Sequence, residues 1–195
     1  YLGVFIIAMV VVGGLVPVAR VWATRMKIVD LPGPERKIHK SPTPLLGGIP
    51  IFVGFFLVLV FLLNNFTNSS VAEKSLWGLF FGGLVLMIGG YLDDKYDLPA
   101  SKQIWFSIVA VLLVIAFGVG VREITNPFGG TISLVWWEKV LFWHNGVGYR
   151  ITMPADLLAF GWLMLIIYTT KFLDGLDGLV SGITIIGALI IFALA

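Results

Sequence analysis

An all-α, polytopic transmembrane bundle of about six helices is the fold class this sequence predicts, and three observations predict it. Apolar windows fall near residues 1–22, 46–63, 75–92, 103–121, 155–173 and 179–195, each close to the roughly 20 residues that cross a bilayer as a helix. Only 12% of the chain is charged and 58% is hydrophobic, whereas a soluble domain carries about 25% charged residues. The acidic clusters lie at the ends of apolar windows. Cysteine is absent, which excludes a disulfide framework, a thiolate zinc site and a cysteine nucleophile.

The first window, Tyr1–Val21, has no basic region before it and so does not read as a cleaved signal peptide. Pro17 is expected to kink it, which neighbouring helices in a bundle tolerate by re-satisfying the freed carbonyl. Pro50 falls in the first turn of the second helix, where its missing N–H costs little. The chain begins at Tyr1 inside one apolar run and stops at Ala195 inside another, so it reads as a fragment of a larger protein, truncated at its C-terminus. Between the fourth and fifth windows, Thr131-Ile-Ser-Leu-Val-Trp-Trp137 alternates weakly after Gly129-Gly130. Gly146-Val-Gly-Tyr-Arg-Ile-Thr152 is its expected partner in a small outer β-hairpin near 129–152. Trp136, Trp137 and Trp143 are the expected interfacial anchors.

Lys and Arg set the orientation. Alternate connections gather Arg20, Arg25, Lys27, Arg36, Lys37, Lys40, Lys95, Lys102 and Lys171 on one side, nine of the 13 basic residues. Lys74, Arg122, Lys139 and Arg150 fall on the other. The first side is expected to be cytoplasmic, with loops near 23–45, 93–102 and 172–178. Both acidic clusters fall on that side.

Those clusters are what a chain of this kind has least reason to carry. One reads Gly-Gly-Tyr-Leu-Asp93-Asp94-Lys95-Tyr-Asp97, the other Phe-Leu-Asp174-Gly175-Leu176-Asp177-Gly178. An ionised carboxylate near hydrocarbon costs several kcal/mol unless it is paired, solvated or bound to a metal. Asp174 and Asp177 are spaced i, i+3, which puts them on one face of a helical turn, and the bracketing glycines leave room for a ligand. Hard oxygen donors suit Mg²⁺, which takes one or two protein carboxylates and fills its other positions with water and phosphate; Mn²⁺ is the alternative. The bland alternative is that these aspartates cap a helix beginning at 179. Asp93, Asp94 and Asp97 are crowded enough to favour a metal or a proton-transfer role, and Asp97-Leu-Pro99 also suits a solvated surface turn. An EF-hand is excluded, because the glycine at its sixth position and the closing glutamate are missing. In the first loop, Arg36, Lys37, His39 and Lys40 form a basic patch beside the membrane. It attracts either phosphate substrates or anionic lipid headgroups.

Three motifs carry a family resemblance: Pro34-Glu-Arg36-Lys37-Ile-His39 with Pro44-Leu-Leu-Gly-Gly48, Gly-Tyr-Leu-Asp93-Asp94 with Leu98-Pro-Ala-Ser-Lys102, and Phe-Leu-Asp174-Gly-Leu-Asp177-Gly-Leu. Together they resemble the polyprenyl-phosphate N-acetylhexosamine-1-phosphate transferases, in the family's order and across the whole chain. The Arg-Lys-x-His form is closer to the branch using UDP-N-acetylglucosamine than to the phospho-N-acetylmuramoyl-pentapeptide branch. The resemblance implies a single transmembrane catalytic domain over 1–195 in the plasma membrane (the inner membrane of a two-membrane cell), with a cytoplasmic active site. It implies transfer of a sugar 1-phosphate from a UDP-sugar to polyprenyl phosphate, with release of UMP and dependence on Mg²⁺. It makes Asp174 the principal metal ligand with Asp94, Asp177 a nearby site residue, and Asp93 or Asp94 the group that positions or deprotonates the lipid phosphate. Lys102, Arg36, Lys37 and His39 would hold phosphates. The implied partners are the UDP-sugar, the lipid phosphate and the membrane, not nucleic acid, and a homodimer is left open. One departure is that Tyr168 and Lys171 stand where the family carries asparagines, so Lys171 would meet substrate with a charge in place of an amide. Another is that nothing matches the family's His-x-His-His-like loop. The competing classes are the muramoyl-pentapeptide transferase and a cation-coupled transporter, which would place its carboxylates at mid-helix.

Overall fold

The computed structural model describes residues 2–30, 42–65, 73–144, 147–175 and 178–194. Six helices form among them: α1 (Leu2–Arg25), α2 (Gly48–Asn65), α3 (Glu73–Tyr96), α4 (Ala100–Ala116), α5 (Ala155–Leu173) and α6 (Leu179–Leu194). Each coincides with a predicted apolar window. Leu2–Arg25, Lys74–Tyr96 and Ala155–Leu173 are long and apolar enough to cross a membrane, and the other three are shorter apolar helices. Large apolar side chains stand exposed along them, among them Phe5, Val10, Trp105, Leu112, Ile186 and Ile191. That is the surface of an integral membrane protein, in which lipid takes the place of a buried core. The fourth window differs most, since the apolar run continues to residue 121 but the helix stops at Ala116. Phe117 N–H donates to the Leu113 carbonyl (3.1 Å) and Gly118 N–H to that of Ile115 (2.8 Å). Gly118 takes φ +86°, the left-handed helix end that glycine adopts without penalty.

The chain divides into two compact units, residues 1–118 and 119–195. In the first unit α3 and α4 form the tightest pair, and small residues let them approach. A methyl group at Gly82 would lie 2.5 Å from Val114 Cγ2 and 3.0 Å from the Ala110 carbonyl oxygen, and one at Gly89 would meet Phe106 at 2.6 Å. On α4, Ser107, Ala110 and Val111 are buried in the same seam. Such small-residue seams substitute in lipid for the hydrophobic drive that is missing there. Between α2 and α3, Phe52 packs over Gly83 and Phe56 meets Phe80 edge-on at 5.0 Å. Pro50 is buried in the first turn of α2, as its residue type predicts.

At one end of this unit Ala23, Ile28 and Leu46 form a small buried cluster, against which Ile49 and Tyr91 pack. Val29–Asp30 (β1) and Thr43–Pro44 (β2) pair beside it, Val29 with Pro44 and Asp30 with Thr43. The two ends of the first loop are thereby clasped next to the end of α3.

In the second unit the predicted hairpin is present but its partners differ. Thr131–Ser133 (β4) pairs with Glu123–Thr125 (β3), not with the segment after Gly146. Val135–His144 (β5) and Val147–Pro154 (β6) make the longer hairpin. The weak alternation around Thr131 belongs to two strands, divided at Leu134, whose side chain is buried and whose N–H donates to the Arg122 carbonyl (2.8 Å). Trp136, Trp137 and Trp143 are exposed on the hairpin. Its base is tied to α5 by Asp156, whose Oδ2 accepts from Thr152 N–H at 2.7 Å.

Replacing Gly82 with alanine forces α3 and α4 apart or displaces Val114. A loss of about 1–3 kcal/mol in stability is expected, read as a lowered melting temperature in detergent. An unchanged melting temperature would show that the seam is not tight.

Candidate functional site

The first acidic corner is built by the end of α3 and the start of α4. Helix α3 runs to Tyr96, and Asp97 N–H still donates to the Asp93 carbonyl at 2.8 Å. Asp97 itself has φ +49°, a left-handed conformation that aspartate tolerates better than most residues. The chain therefore reverses, and Pro99 opens α4 from an extended conformation. Asp97 thus stands in the surface turn that Asp97-Leu-Pro99 suits. The reversal brings Leu98 N–H within 3.1 Å of Asp93 Oδ1. Gln103 Nε2 lies 2.6 Å from the same oxygen and 2.7 Å from the Leu98 carbonyl.

Asp94 faces elsewhere. It borders a groove of about 520 Å³ between α2 and α3, whose other walls include Leu46, Ile49, Phe52, Phe55, Leu86 and Met87. Adjacent residues on a helix are turned about 100° apart, so one carboxylate is bound into the corner while its neighbour borders an apolar trough. Lys102, in the first turn of α4, is exposed at the same corner. Lys95 Nζ stands 5.8 and 5.1 Å from the ring centres of Tyr91 and Tyr96.

The second corner is the end of α5. Lys171 lies in its last turn and Asp174 is its C-terminal cap residue, Asp174 N–H donating to the Thr170 carbonyl at 3.2 Å. Both side chains are exposed. The bland alternative, that the aspartates cap the helix beginning at 179, fails for Asp174, which closes the preceding helix instead. Gly178 has φ +82°, which accounts for glycine there by backbone geometry. Around Gly175 a Cβ would meet nothing within 4 Å, so that backbone is open to approach. Asp177 and the loop residues Arg36, Lys37 and His39 lie outside the described residues.

Asp93, Asp94 and Asp174 share one electrostatic feature. Each stands in the last turn or at the C-cap of a helix, where the unpaired carbonyls already carry partial negative charge. A carboxylate there is disfavoured by about 0.3–1 kcal/mol, and a cation is favoured by as much. Lys171 meets that preference at α5. None of the three carboxylates is at mid-helix, where a cation pathway through the bilayer would need them. The donors are hard oxygens, which suit Mg²⁺ or Mn²⁺ better than a soft metal. No group of three or more His, Cys, Asp and Glu side chains forms a ready-made metal cage among the described residues, and Mg²⁺ does not require one.

Two further polar residues of the first unit escape a motif-based reading. Gln103 does so because a single amide in an apolar helix resembles incidental surface polarity. Arg20, read only as an orientation signal, borders a small cavity of about 160 Å³ with Pro44, Leu46 and Pro50.

The family described as glycosyl transferase family 4 matches residues 76–195. The chain is 25% identical over 183 residues to a protein of Bacillus subtilis (strain 168) named "Probable undecaprenyl-phosphate N-acetylglucosaminyl 1-phosphate transferase", covering 94% of this chain and 45% of that one. It is 30% identical over 168 residues to the "Undecaprenyl-phosphate alpha-N-acetylglucosaminyl 1-phosphate transferase" of Yersinia pestis, covering 86% and 40%. A "Phospho-N-acetylmuramoyl-pentapeptide-transferase" of Corynebacterium jeikeium (strain K411) is 27% identical over 168 residues, with 79% of this chain and 45% of that one covered, and is the more distant relative. The chain thus spans less than half the length of these relatives. No solved structure matches it.

Without divalent cations, Asp174→Asn removes a charge from the carbonyl end of α5. It should raise stability by about 0.3–1 kcal/mol, measured by chemical denaturation in a chelator. A loss of stability would contradict this electrostatic assignment.

Proposed function

The chain belongs to glycosyl transferase family 4, and from that premise we propose that it transfers N-acetylglucosamine 1-phosphate from UDP-N-acetylglucosamine to polyprenyl phosphate at the cytoplasmic membrane face. The names of its relatives support the sugar phosphate and the lipid acceptor. In the net reaction an oxygen of the lipid phosphate becomes bonded to the β-phosphorus of the UDP-sugar. The bond from that phosphorus to the bridging oxygen breaks, and UMP leaves with the bridging oxygen. The observation that carries the reading is Asp94 at the border of an apolar groove, in the last turn of a membrane-length helix. Such a trough suits the hydrocarbon of a lipid whose phosphate stays at the water boundary.

Both substrates are anionic where they react, so charge neutralisation and alignment matter more than covalent help from the protein. Asp174 and Asp94 are the proposed ligands of a Mg²⁺ ion. When bound, that ion neutralises the diphosphate and its leaving group. Asp93 or Asp94 positions the lipid phosphate or accepts its proton. Lys102, Lys171 and the loop cations Arg36, Lys37 and His39 supply donors to phosphate oxygens, where charge-assisted hydrogen bonds are worth about 1.5–3 kcal/mol each. Asp177 belongs to the same site in this reading.

The test is transfer of radiolabelled sugar phosphate from several UDP-sugars to polyprenyl phosphate, with the protein expressed from its complete gene. UDP-N-acetylglucosamine should be the preferred donor, with UMP released in equal amount. Asp94→Asn and Asp174→Asn should each lower turnover at least about a hundredfold, because the charge they supply is worth several kcal/mol in the transition state. Normal turnover in Asp174→Asn would refute the assignment.

A further inference from the structure

We propose that Gln103 is a positioning residue for this transfer: its amide holds the Asp93 carboxylate and the α3–α4 corner, and so sets the direction in which Asp94 faces. The inference rests on the function proposed above. Gln103 Nε2 lies between two acceptors, Asp93 Oδ1 at 2.6 Å and the Leu98 carbonyl at 2.7 Å. Only an N–H donor satisfies both, which fixes the amide with its nitrogen inward. Leu98 N–H gives the same carboxylate oxygen a second donor at 3.1 Å, so Asp93 is held from two sides and its rotation is stopped.

The clasp bridges a reversal that local propensity does little to hold. Asp97 sits at φ +49°, and Pro99 starts the next helix with no side-chain cap hydrogen bond. Without the Gln103 amide, one donor is lost to the carboxylate and one to the Leu98 carbonyl, both partly buried. The corner then relaxes, and the last turn of α3 turns with it. Asp94 is part of that turn and borders the groove, so any loosening is delivered to it. What the two described contacts require of the position is a donor that reaches both oxygens. Lysine meets that requirement with its three N–H groups, whereas glutamate and methionine do not.

The experiment compares Gln103→Met, Gln103→Glu and Gln103→Lys in the protein expressed from its complete gene, with kcat and KM measured for the UDP-sugar and its Kd measured by calorimetry. Loss of a partner that orients a reacting carboxylate costs about 10–100-fold. Gln103→Met should therefore lower kcat in that range, with KM and Kd for the soluble donor within about twofold of wild type. Gln103→Glu should be no better, and Gln103→Lys should recover kcat to within about threefold of wild type. A structural staple alone would change melting temperature without this pattern of loss and rescue. If Gln103→Met does not fold, the contrast between Glu and Lys gives the same reading. Undiminished kcat in Gln103→Met or Gln103→Glu, or no advantage of Lys over Glu, overturns the inference while leaving the proposed function standing. A wild-type protein that transfers no sugar phosphate overturns both.

Discussion

A carboxylate at the carbonyl end of a helix, beside hydrocarbon, is held in a state that favours a cation. That constraint organises the two acidic corners of this chain. Asp93 and Asp94 close α3, and Asp174 closes α5. Each adds charge where the backbone already concentrates it, at about 0.3–1 kcal/mol per carboxylate. Asp93 meets the constraint with two N–H donors, and Lys171 tempers it in α5. Asp94 is left bordering an apolar groove. The chain thus keeps acidic groups where stability alone would select neutral or basic ones, a departure from local preference that the proposed cation binding would account for.

The rest of the first unit serves to fix where Asp93 and Asp94 stand. Gly82 and Gly89 let α4 lie close against α3, so the reversal at Asp97 and Pro99 has little room to vary. The cluster of Ala23, Ile28 and Leu46 draws the ends of the first loop to Tyr91, two residues before Asp93. The two ends of that loop, Val29–Asp30 and Thr43–Pro44, are paired with each other beside this cluster. Under the proposed function, the basic donors of that loop and the carboxylates that close α3 and α5 serve the same diphosphate.

Much of this was legible in the sequence. The six helices follow from apolar length, and Pro50 falls in a first turn as its chemistry requires. The family follows from motifs at Asp93-Asp94 and Asp174-Gly-Leu-Asp177. What the sequence did not disclose depends on geometry finer than composition. The end of α4 is not visible in hydropathy, which continues past Ala116 while Gly118 turns the chain. The weak alternation around Thr131 fits either neighbour, and only the structure shows that it pairs with Glu123–Thr125. The apolar window ending at 173 already sets Asp174 at a helix boundary, but an Asp-Gly pair does not say whether such an aspartate serves the helix before it or the one after. Gln103 carries no signal in the sequence; the proposal for it lies in two oxygens that only folding brings to it.

The most direct test of the central claim is Mn²⁺ binding, followed by electron paramagnetic resonance in the membrane-reconstituted protein expressed from its complete gene, with wild type compared to Asp94→Asn and Asp174→Asn. The account predicts a tightly held ion in the wild type that either substitution releases, with the fold intact by circular dichroism. Binding that survives both substitutions unchanged would contradict the claim that these helix-end carboxylates exist to hold a cation.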